Sequence, residues 1–265
     1  ILECVNQLLA KQIDVFALTG NMASQLAKTV PHTQNYGPGN EYVDFVTVGV
    51  QTLVLYLLCF ALRLANKDAA NIVDDMKLKQ IAQSQVNILL ETDNFINTNK
   101  MGLSKTQPTF FIGTGANYGV AKEGALKFQE TLKRPAMYYE LEEFLHGPDM
   151  QLTPDYTVFL LDDYTPSKRM AKVANALSSI TDNVYLLTSD SNGSDLPNIL
   201  HIPQPTSEAL LPFVTLPPIQ LIAATLTDTL NKWDTNPYFH TFDELIAIKA
   251  EDYKDQLTTI KSKWY

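Results

Sequence analysis

Short apolar runs alternate with longer amphipathic stretches along most of the chain. Apolar runs bounded by glycine, proline or asparagine predict buried strands, and apolar residues at helical spacing predict the helices between them. The clearest strands fall at 13–19, 108–112, 157–161 and 184–188, and the clearest helices at about 43–66, 118–132, 166–180 and 207–233. Strands that alternate with helices imply parallel pairing. The predicted fold class is α/β: three α/β/α layers with parallel sheets in a flavodoxin-like strand order.

The order of strands and helices occurs twice, which predicts two domains related by a weak internal duplication. Residues 1–66 are assigned to a first domain, residues 67–104 to linker helices, and residues 105–265 to a second domain. The second domain ends in a tail helix that begins near residue 242.

Two long helices carry features that need separate interpretation. The most apolar run, 53–62, is flanked by polar residues and is too short to span a bilayer, so it is predicted to be part of a buried helix. The last long helix contains Pro217 and Pro218, and proline removes a helical donor and clashes with the preceding turn. A break or kink is therefore predicted there.

The overall composition indicates which kinds of binding partner the protein is expected to lack. The net charge of −9 leaves no basic patch to neutralise phosphates, so no nucleic-acid partner is expected. Cys4 and Cys59 are isolated and predict neither a disulfide framework nor a zinc site. These features fit a cytoplasmic protein with no membrane partner, and no metal or cofactor is predicted.

The candidate chemistry lies between residues 113 and 148. Three ionisable residues fall at i, i+4 and i+7 of a predicted helix: Glu123, Lys127 and Glu130. That spacing places them on one helical face. His146 follows Glu130 by 16 residues. Two carboxylates, an ammonium and an imidazole can together move protons, whereas Glu123 and Lys127 alone could be a solvent-facing pair contributing about 0.3–0.5 kcal/mol.

The turn Gly113-Thr114-Gly115 joins the strand at 108–112 to that helix. In an open parallel sheet, ligands bind beyond the carboxyl ends of the strands, and a helix N-terminus favours an anion. Gly113, Thr114 and Gly115 are therefore candidate substrate-binding residues. The alternative is that the glycines only make a tight strand-to-helix turn.

These residues resemble the SIS (sugar isomerase) family, and in particular the isomerase domain of glucosamine-6-phosphate synthase. The family pattern is a glycine turn, then E-G-A-L-K-x-x-E on a helix, then E-x-x-H-G-P. It is matched by Glu123 to Lys127, Glu130, Glu143 and His146-Gly147-Pro148. The resemblance implies a double-SIS architecture whose first domain is N-terminally incomplete here, with the main phosphate loop expected before residue 1.

Interconverting an aldose and a ketose phosphate needs a base that carries a proton between C1 and C2, and a group that opens the sugar ring. A carboxylate of raised pKa suits the first task, and Glu130 is the candidate. His146 suits ring opening, and Lys127 would stabilise the enediolate charge. The resemblance implies the same role for Glu130 and places Glu123 at the sugar's C1 or amino end. It also implies that His146 reaches the site of a neighbouring subunit, so the active unit is expected to be a homodimer.

Several positions depart from the pattern of glucosamine-6-phosphate synthase. Phe242 stands where that enzyme has a lysine that handles the open-chain sugar. The family has a serine-bearing segment before the first domain's long helix. The matching segment here is residues 44–47, where only Thr47 offers a hydroxyl. His240 follows Pro237, as a histidine follows a proline in some deglycases that act on sugar-amine 6-phosphates. Thr47 and His240 are therefore carried as substrate-binding candidates.

The sequence leaves three functions open. The first is a sugar-phosphate isomerase-type enzyme that acts on a hexose 6-phosphate or its amine adduct through an enediol or enediolamine. The second is a fructosamine 6-phosphate deglycase or an amino-sugar phosphate deaminase, which would use the same base. The third is a sensor that binds a sugar phosphate without turnover. Sensors commonly lose the glutamate and histidine that this chain retains as Glu130 and His146.

Overall fold

The computed structural model describes residues 1–41, 45–65, 75–105, 108–190, 196–233, 236 and 238–246. Packing divides the chain into two units, one made of residues 1–70 with 237–265 and the other of residues 71–236. This division differs from the predicted boundaries at two places. The predicted linker helices pack with the second unit, and the tail helix belongs to the first. Chain order alone does not determine which unit a helix at a boundary packs against.

The first unit contains a two-stranded parallel sheet and four helices among its described residues. Its elements are α1 (Leu2–Ala10), β1 (Phe16–Thr19), α2 (Gln25–Thr29), β2 (His32–Asn35), α3 (Val48–Ala65) and, from the tail, α10 (Phe239–Ile246). The pairing runs in register from Phe16 with His32 to Thr19 with Asn35. A small core of Val5, Ala17 and Val30 joins this sheet to α1.

The prediction of a buried helix around residues 53–62 is not met among the described residues. Helix α3 has one buried residue, Gly49, while Phe60 and Leu64 are 53% and 74% exposed. By length and composition alone, two helical segments could cross a membrane: Val48–Ala65 and Glu208–Thr229. The second is 72% buried inside the structure, as the core helix of a soluble protein is, and the first is 6% buried. An apolar run predicts that a helix is buried, but it does not identify the surface that buries it.

The second unit is built on a five-stranded parallel sheet. Its strands are β3 (Thr109–Gly113), β4 (Ala136–Tyr139), β5 (Thr157–Leu161), β6 (Val184–Thr188) and β7 (Ile199–His201). Its helices are α4 (Asp75–Thr98), α5 (Lys100–Leu103), α6 (Asn117–Leu132), α7 (Leu141–Phe144), α8 (Lys168–Leu177) and α9 (Pro212–Thr229). The strand order is β4-β3-β5-β6-β7, which is the flavodoxin-like order 2-1-3-4-5. The prediction of an α/β fold with a parallel sheet is confirmed.

The central strands are continuous apolar runs because both faces of the sheet are covered. On one face, Phe110, Val158 and Leu160 pack against residues of α7 and α8. On the other face, Phe111 stacks on Phe159 with ring centroids 4.9 Å apart and meets Phe128 of α6 edge-on. Helix α6 packs in turn against α9, and α9 packs against α4. The sheet therefore lies between two helical layers.

Gly124 permits the close approach of α6 to this sheet. A Cβ atom at this position would lie 2.8 Å from the Phe111 ring and 3.0 Å from Ile219 of α9. Both neighbours are fully buried and have no room to move. Because residue 124 has no side chain, α6 can pack close to the sheet and to α9, and its ionisable side chains are correspondingly more buried.

Helix α9 runs through Pro217 and Pro218 without the predicted break. Pro217 has no N–H to donate to the carbonyl of Phe213 four residues earlier. Instead, Nε2 of Gln85 on α4 donates to that carbonyl at 2.8 Å. A side chain from a neighbouring helix therefore replaces a lost helical hydrogen bond, which chain-local reasoning about proline cannot anticipate.

Candidate active site

Helix α6 begins at the glycine turn and is anchored there by Asn117. The buried Asn117 side chain donates from Nδ2 to the carbonyl of Asp162 at 2.5 Å and accepts from Oγ1 of Thr215 at 2.7 Å. These bonds tie the start of α6 to the end of β5 and to α9. Sequence reasoning missed Asn117, since both of its partners are distant in the chain. By anchoring the start of α6, Asn117 helps to position the ionisable side chains of that helix.

Lys127 lies between the two carboxylates of α6. Its Nζ is 2.9 Å from Oε2 of Glu130 and 3.2 Å from Oε1 of Glu123. The Lys127 side chain is 5% exposed, against 16% for Glu123 and 29% for Glu130. The structure therefore brings the three predicted residues together. It also excludes a solvent-facing Glu123–Lys127 pair, because the ammonium is buried.

Burial raises the pKa of Glu123, and the positive charge of Lys127 opposes that shift. The Glu130 carboxylate adds a smaller repulsion that also raises it. Oε1 of Glu123 is buried, and its neighbour in the ion pair is Nζ of Lys127 at 3.2 Å. The site thus contains two carboxylates in different surroundings: Glu123 is the less solvated, and Glu130 is the one a ligand can reach.

His146 follows the short helix α7, whose first turn is closed by a capping box. Oε2 of Glu140 accepts from the backbone N–H groups of Glu142 and Glu143, and Oε2 of Glu143 accepts from the N–H of Glu140. Glu143, which matches the family pattern, therefore has a structural role here. His146 is exposed, and its Nδ1 lies 2.5 Å from the carbonyl oxygen of Glu142. A carbonyl only accepts, so Nδ1 carries the proton and Nε2 of the neutral ring is the basic nitrogen.

Within one chain, the structure does not bring His146 to Glu130. The residues of α7 pack on the sheet face of Phe110, whereas α6 packs on the face of Phe111. Side chains at successive positions of a strand point to opposite faces, so the sheet separates the two helices. The two groups therefore do not form one site within a single chain as the structure describes it.

The glycine turn is also remote from Glu130. Gly113, Thr114 and Gly115 precede the first turn of α6, and Glu130 lies in its last turn, about 20 Å away along the axis. A Cβ atom at Gly115, whose φ is +53°, would lie 2.9 Å from Oδ1 of Asp163 and 3.3 Å from Oε1 of Glu208. These carboxylates oppose a phosphate at the turn. One sugar phosphate cannot touch both the turn and Glu130.

The remaining candidates lie in the first unit. The backbone N–H groups of Thr47 and Gly49 donate to Oε1 of Glu41 at 2.7 and 2.6 Å, so a carboxylate already occupies the start of α3. The Thr47 hydroxyl donates to the carbonyl of Phe45 at 3.0 Å. Sequence reasoning did not single out Glu41. The side chain of His240 lies outside the described residues.

Among the described residues, no three His, Cys, Asp or Glu side chains are grouped so that they could hold a metal ion. The ionisable groups that α6 presents together are two carboxylates and one ammonium.

Comparisons with known proteins agree with the motif. A family model described as SIS domain matches residues 102–227. The isomerizing glutamine–fructose-6-phosphate aminotransferase of Thermotoga maritima is 30% identical over 202 residues, which cover 73% of this chain and 33% of that protein. The chain spans about a third of the length of the curated relatives it matches.

Solved structures show the same fold. The C-terminal domain of glucosamine-fructose-6-phosphate aminotransferase from Francisella tularensis aligns with a TM-score of 0.70 at 20% identity, covering 89% of this chain and 69% of that one. Glucosamine-6-phosphate deaminase from Thermotoga maritima aligns with a TM-score of 0.67 at 20% identity, covering 88% and 67%. The segment 102–227, which contains the whole five-stranded sheet, is therefore the SIS domain of this chain.

Proposed function

We propose that the protein is a sugar-phosphate isomerase-type enzyme that acts on a hexose 6-phosphate or its amine adduct. The reaction moves a proton between C1 and C2 through an enediol or enediolamine. The observation that carries the proposal is the buried ammonium of Lys127 held between Glu123 and Glu130 on helix α6 of a SIS domain. A cation fixed beside an accessible carboxylate is what a proton transfer through an anionic intermediate requires.

Glu130 takes the proton in this mechanism. Its carboxylate is the most exposed member of the group and can accept a proton from a substrate carbon and return it to the neighbouring one. Removal of that proton places negative charge on the enediol oxygens. The Lys127 ammonium stabilises this charge with little reorganisation, because it is already buried and held from both sides. Glu123 binds the C1 or amino end of the sugar.

His146 opens the sugar ring. With the proton on Nδ1 committed to the Glu142 carbonyl, Nε2 accepts the proton of the anomeric hydroxyl and passes a proton to the ring oxygen. Because α7 and α6 lie on opposite faces of one sheet, His146 serves the site of a second subunit in a homodimer. Residues 1–66 belong to a first SIS domain, and the structural alignment over 89% of the chain, which extends beyond the second unit, supports this.

The relatives support both forms of the substrate. One is named an isomerizing aminotransferase of fructose 6-phosphate, and the other is named a glucosamine-6-phosphate deaminase. Proton transfer between C1 and C2 is a step that isomerisation and release of an amine can share. The two products, an isomerised sugar phosphate or a sugar phosphate with a released amine, are therefore outcomes of one test.

The test supplies hexose 6-phosphates, glucosamine 6-phosphate and fructosamine 6-phosphates to the wild-type protein and follows isomer formation and amine release. We expect turnover of at least one compound and a loss of about 10²-fold to 10⁴-fold in kcat for Glu130→Gln, since removing a general base costs that much. Glu91→Gln is the matched control, because Glu91 is exposed on α4 and has no assigned role.

Two outcomes would contradict the proposal. Binding of a sugar phosphate with no turnover of any compound would favour a sensor. Equal turnover in Glu130→Gln and Glu91→Gln would be compatible with the proposed enzyme class but would show that Glu130 is not the base.

A further inference from the structure

An ion pair joins α7 to α8 on the protein surface. Nε of Arg169 donates to Oε1 of Glu142 at 2.8 Å, and Nη2 donates to Oε2 at 2.9 Å. The two residues are 27 positions apart and about half exposed. Such a two-bond fork fixes the orientation of both planar groups, although an exposed pair of this kind adds little to overall stability.

Glu142 is also the residue that holds the His146 ring. Its side chain is bound by Arg169, and its backbone carbonyl accepts the Nδ1 proton of His146. A chain of contacts therefore runs from the guanidinium of Arg169 through one residue to the imidazole. Any rotation of Glu142 about the α7 axis would move the carbonyl that orients the ring.

Helix α7 needs such support because it is a single turn. Four residues are too few to form a stable helix on their own. Leu141 and Phe144 bury its inner side, and the capping box closes its first turn. Helix α8, in contrast, has ten residues, an Ser167 cap and a buried Met170 next to Arg169. Arg169 thus lies on the longer helix α8, and its ion pair with Glu142 holds the single-turn helix α7 in place.

We propose that Arg169 is a positioning residue for His146. By holding the Glu142 side chain, it keeps the Glu142 carbonyl on Nδ1, so that the ring stays in the tautomer with a basic Nε2 and points that nitrogen in one direction. This inference rests on the proposed role of His146 in ring opening, but the state of the ring can be measured without any activity.

The first measurement is ¹⁵N NMR of the imidazole in the Arg169→Met variant. The chain has four histidines, and the His146 signals are assigned by their absence in His146→Asn. We expect wild-type His146 to be the Nδ1–H tautomer and Arg169→Met to show a mixture of tautomers. Lys172→Met is the matched control, since it removes a positive charge from an exposed position of the same helix. An unchanged Nδ1–H tautomer in Arg169→Met would overturn the proposal.

The second measurement separates positioning from a general structural role. With fructose 6-phosphate, Arg169→Met is expected to lower kcat by about 10-fold to 100-fold, the scale of a misplaced catalytic group, and to leave KM within about twofold. With the 5-deoxy analogue, which cannot close the furanose ring, Arg169→Met and His146→Asn are both expected to match the wild type. The charge-reversed double variant Glu142→Arg with Arg169→Glu should recover most of the lost kcat.

Equal losses on the cyclic and the open-chain substrate would contradict positioning of a ring-opening group. If His146→Asn retains full activity on fructose 6-phosphate, the proposed role of His146 fails, and the NMR result alone then decides whether Arg169 orients the ring.

Discussion

At the scale of single residues, the most informative side chain is Lys127. Its spacing from Glu123 and Glu130 follows from the helical period, so sequence reasoning could predict that the three share a face. Its burial could not be predicted in this way, because the depth of that face depends on Gly124 and on the packing of α9. Burial changes the chemistry of these groups. The Lys127 ammonium is held in a fixed position, and the two carboxylates beside it differ in their exposure to solvent.

Glu123 provides a test of this electrostatic description. Burial raises the pKa of Glu123 above its usual value of 4.5. The folded protein then binds this proton better than the unfolded chain does, so the contribution of Glu123 to stability is largest at low pH and is lost as the pH rises through the folded pKa. We expect the Tm of Glu123→Gln, relative to the wild type, to increase between about pH 4 and about pH 7 in thermal unfolding followed by circular dichroism.

Glu142→Gln serves as the control of opposite sign. The hydrogen bond from Arg169 lowers the pKa of Glu142, so its contribution is present above that pKa and is lost in acid. The Tm of Glu142→Gln relative to the wild type should therefore fall slightly over the same pH interval. A flat or falling profile for Glu123→Gln would contradict the raised pKa.

At the scale of secondary-structure elements, the sequence predicted where strands and helices lie more reliably than how they pack. The three central strands β3, β5 and β6 were predicted because residues buried on both faces form continuous apolar runs. The break predicted at Pro217 and Pro218 was wrong, because Gln85 satisfies the carbonyl that Pro217 leaves without a donor. That compensation comes from a helix more than a hundred residues earlier in the chain.

Gln85→Leu tests the compensation in α9. The variant keeps the bulk of the side chain but leaves the Phe213 carbonyl without its donor, so it should lower the free energy of unfolding by about 1–3 kcal/mol. Gln83→Leu, at an exposed position of the same helix, should change it by less than about 0.5 kcal/mol. Urea unfolding measures both. Equal effects of the two variants would show that the Gln85 hydrogen bond is not needed for an unbroken α9.

At the scale of the whole molecule, the family motif allowed more to be predicted than local patterns did. It identified Glu123, Lys127, Glu130 and His146 as a set, and the structure shows three of them together and the fourth beyond the sheet. The separation of the glycine turn from Glu130 could also have been anticipated, since a helix advances about 1.5 Å per residue. The partners of Asn117 could not, because Asp162 and Thr215 reach it only through tertiary contacts.

The most direct test of the account is whether a substrate carbon exchanges its proton with solvent. The protein is incubated in deuterated water with the hexose 6-phosphate or fructosamine 6-phosphate that it turns over, and the sugar is analysed by NMR and mass spectrometry. Transfer through Glu130 predicts deuterium at C1 or C2 in the wild type and in Glu91→Gln, and none above background in Glu130→Gln. Turnover without deuterium at either carbon, or equal incorporation in Glu130→Gln, would contradict proton transfer by the carboxylate beside Lys127.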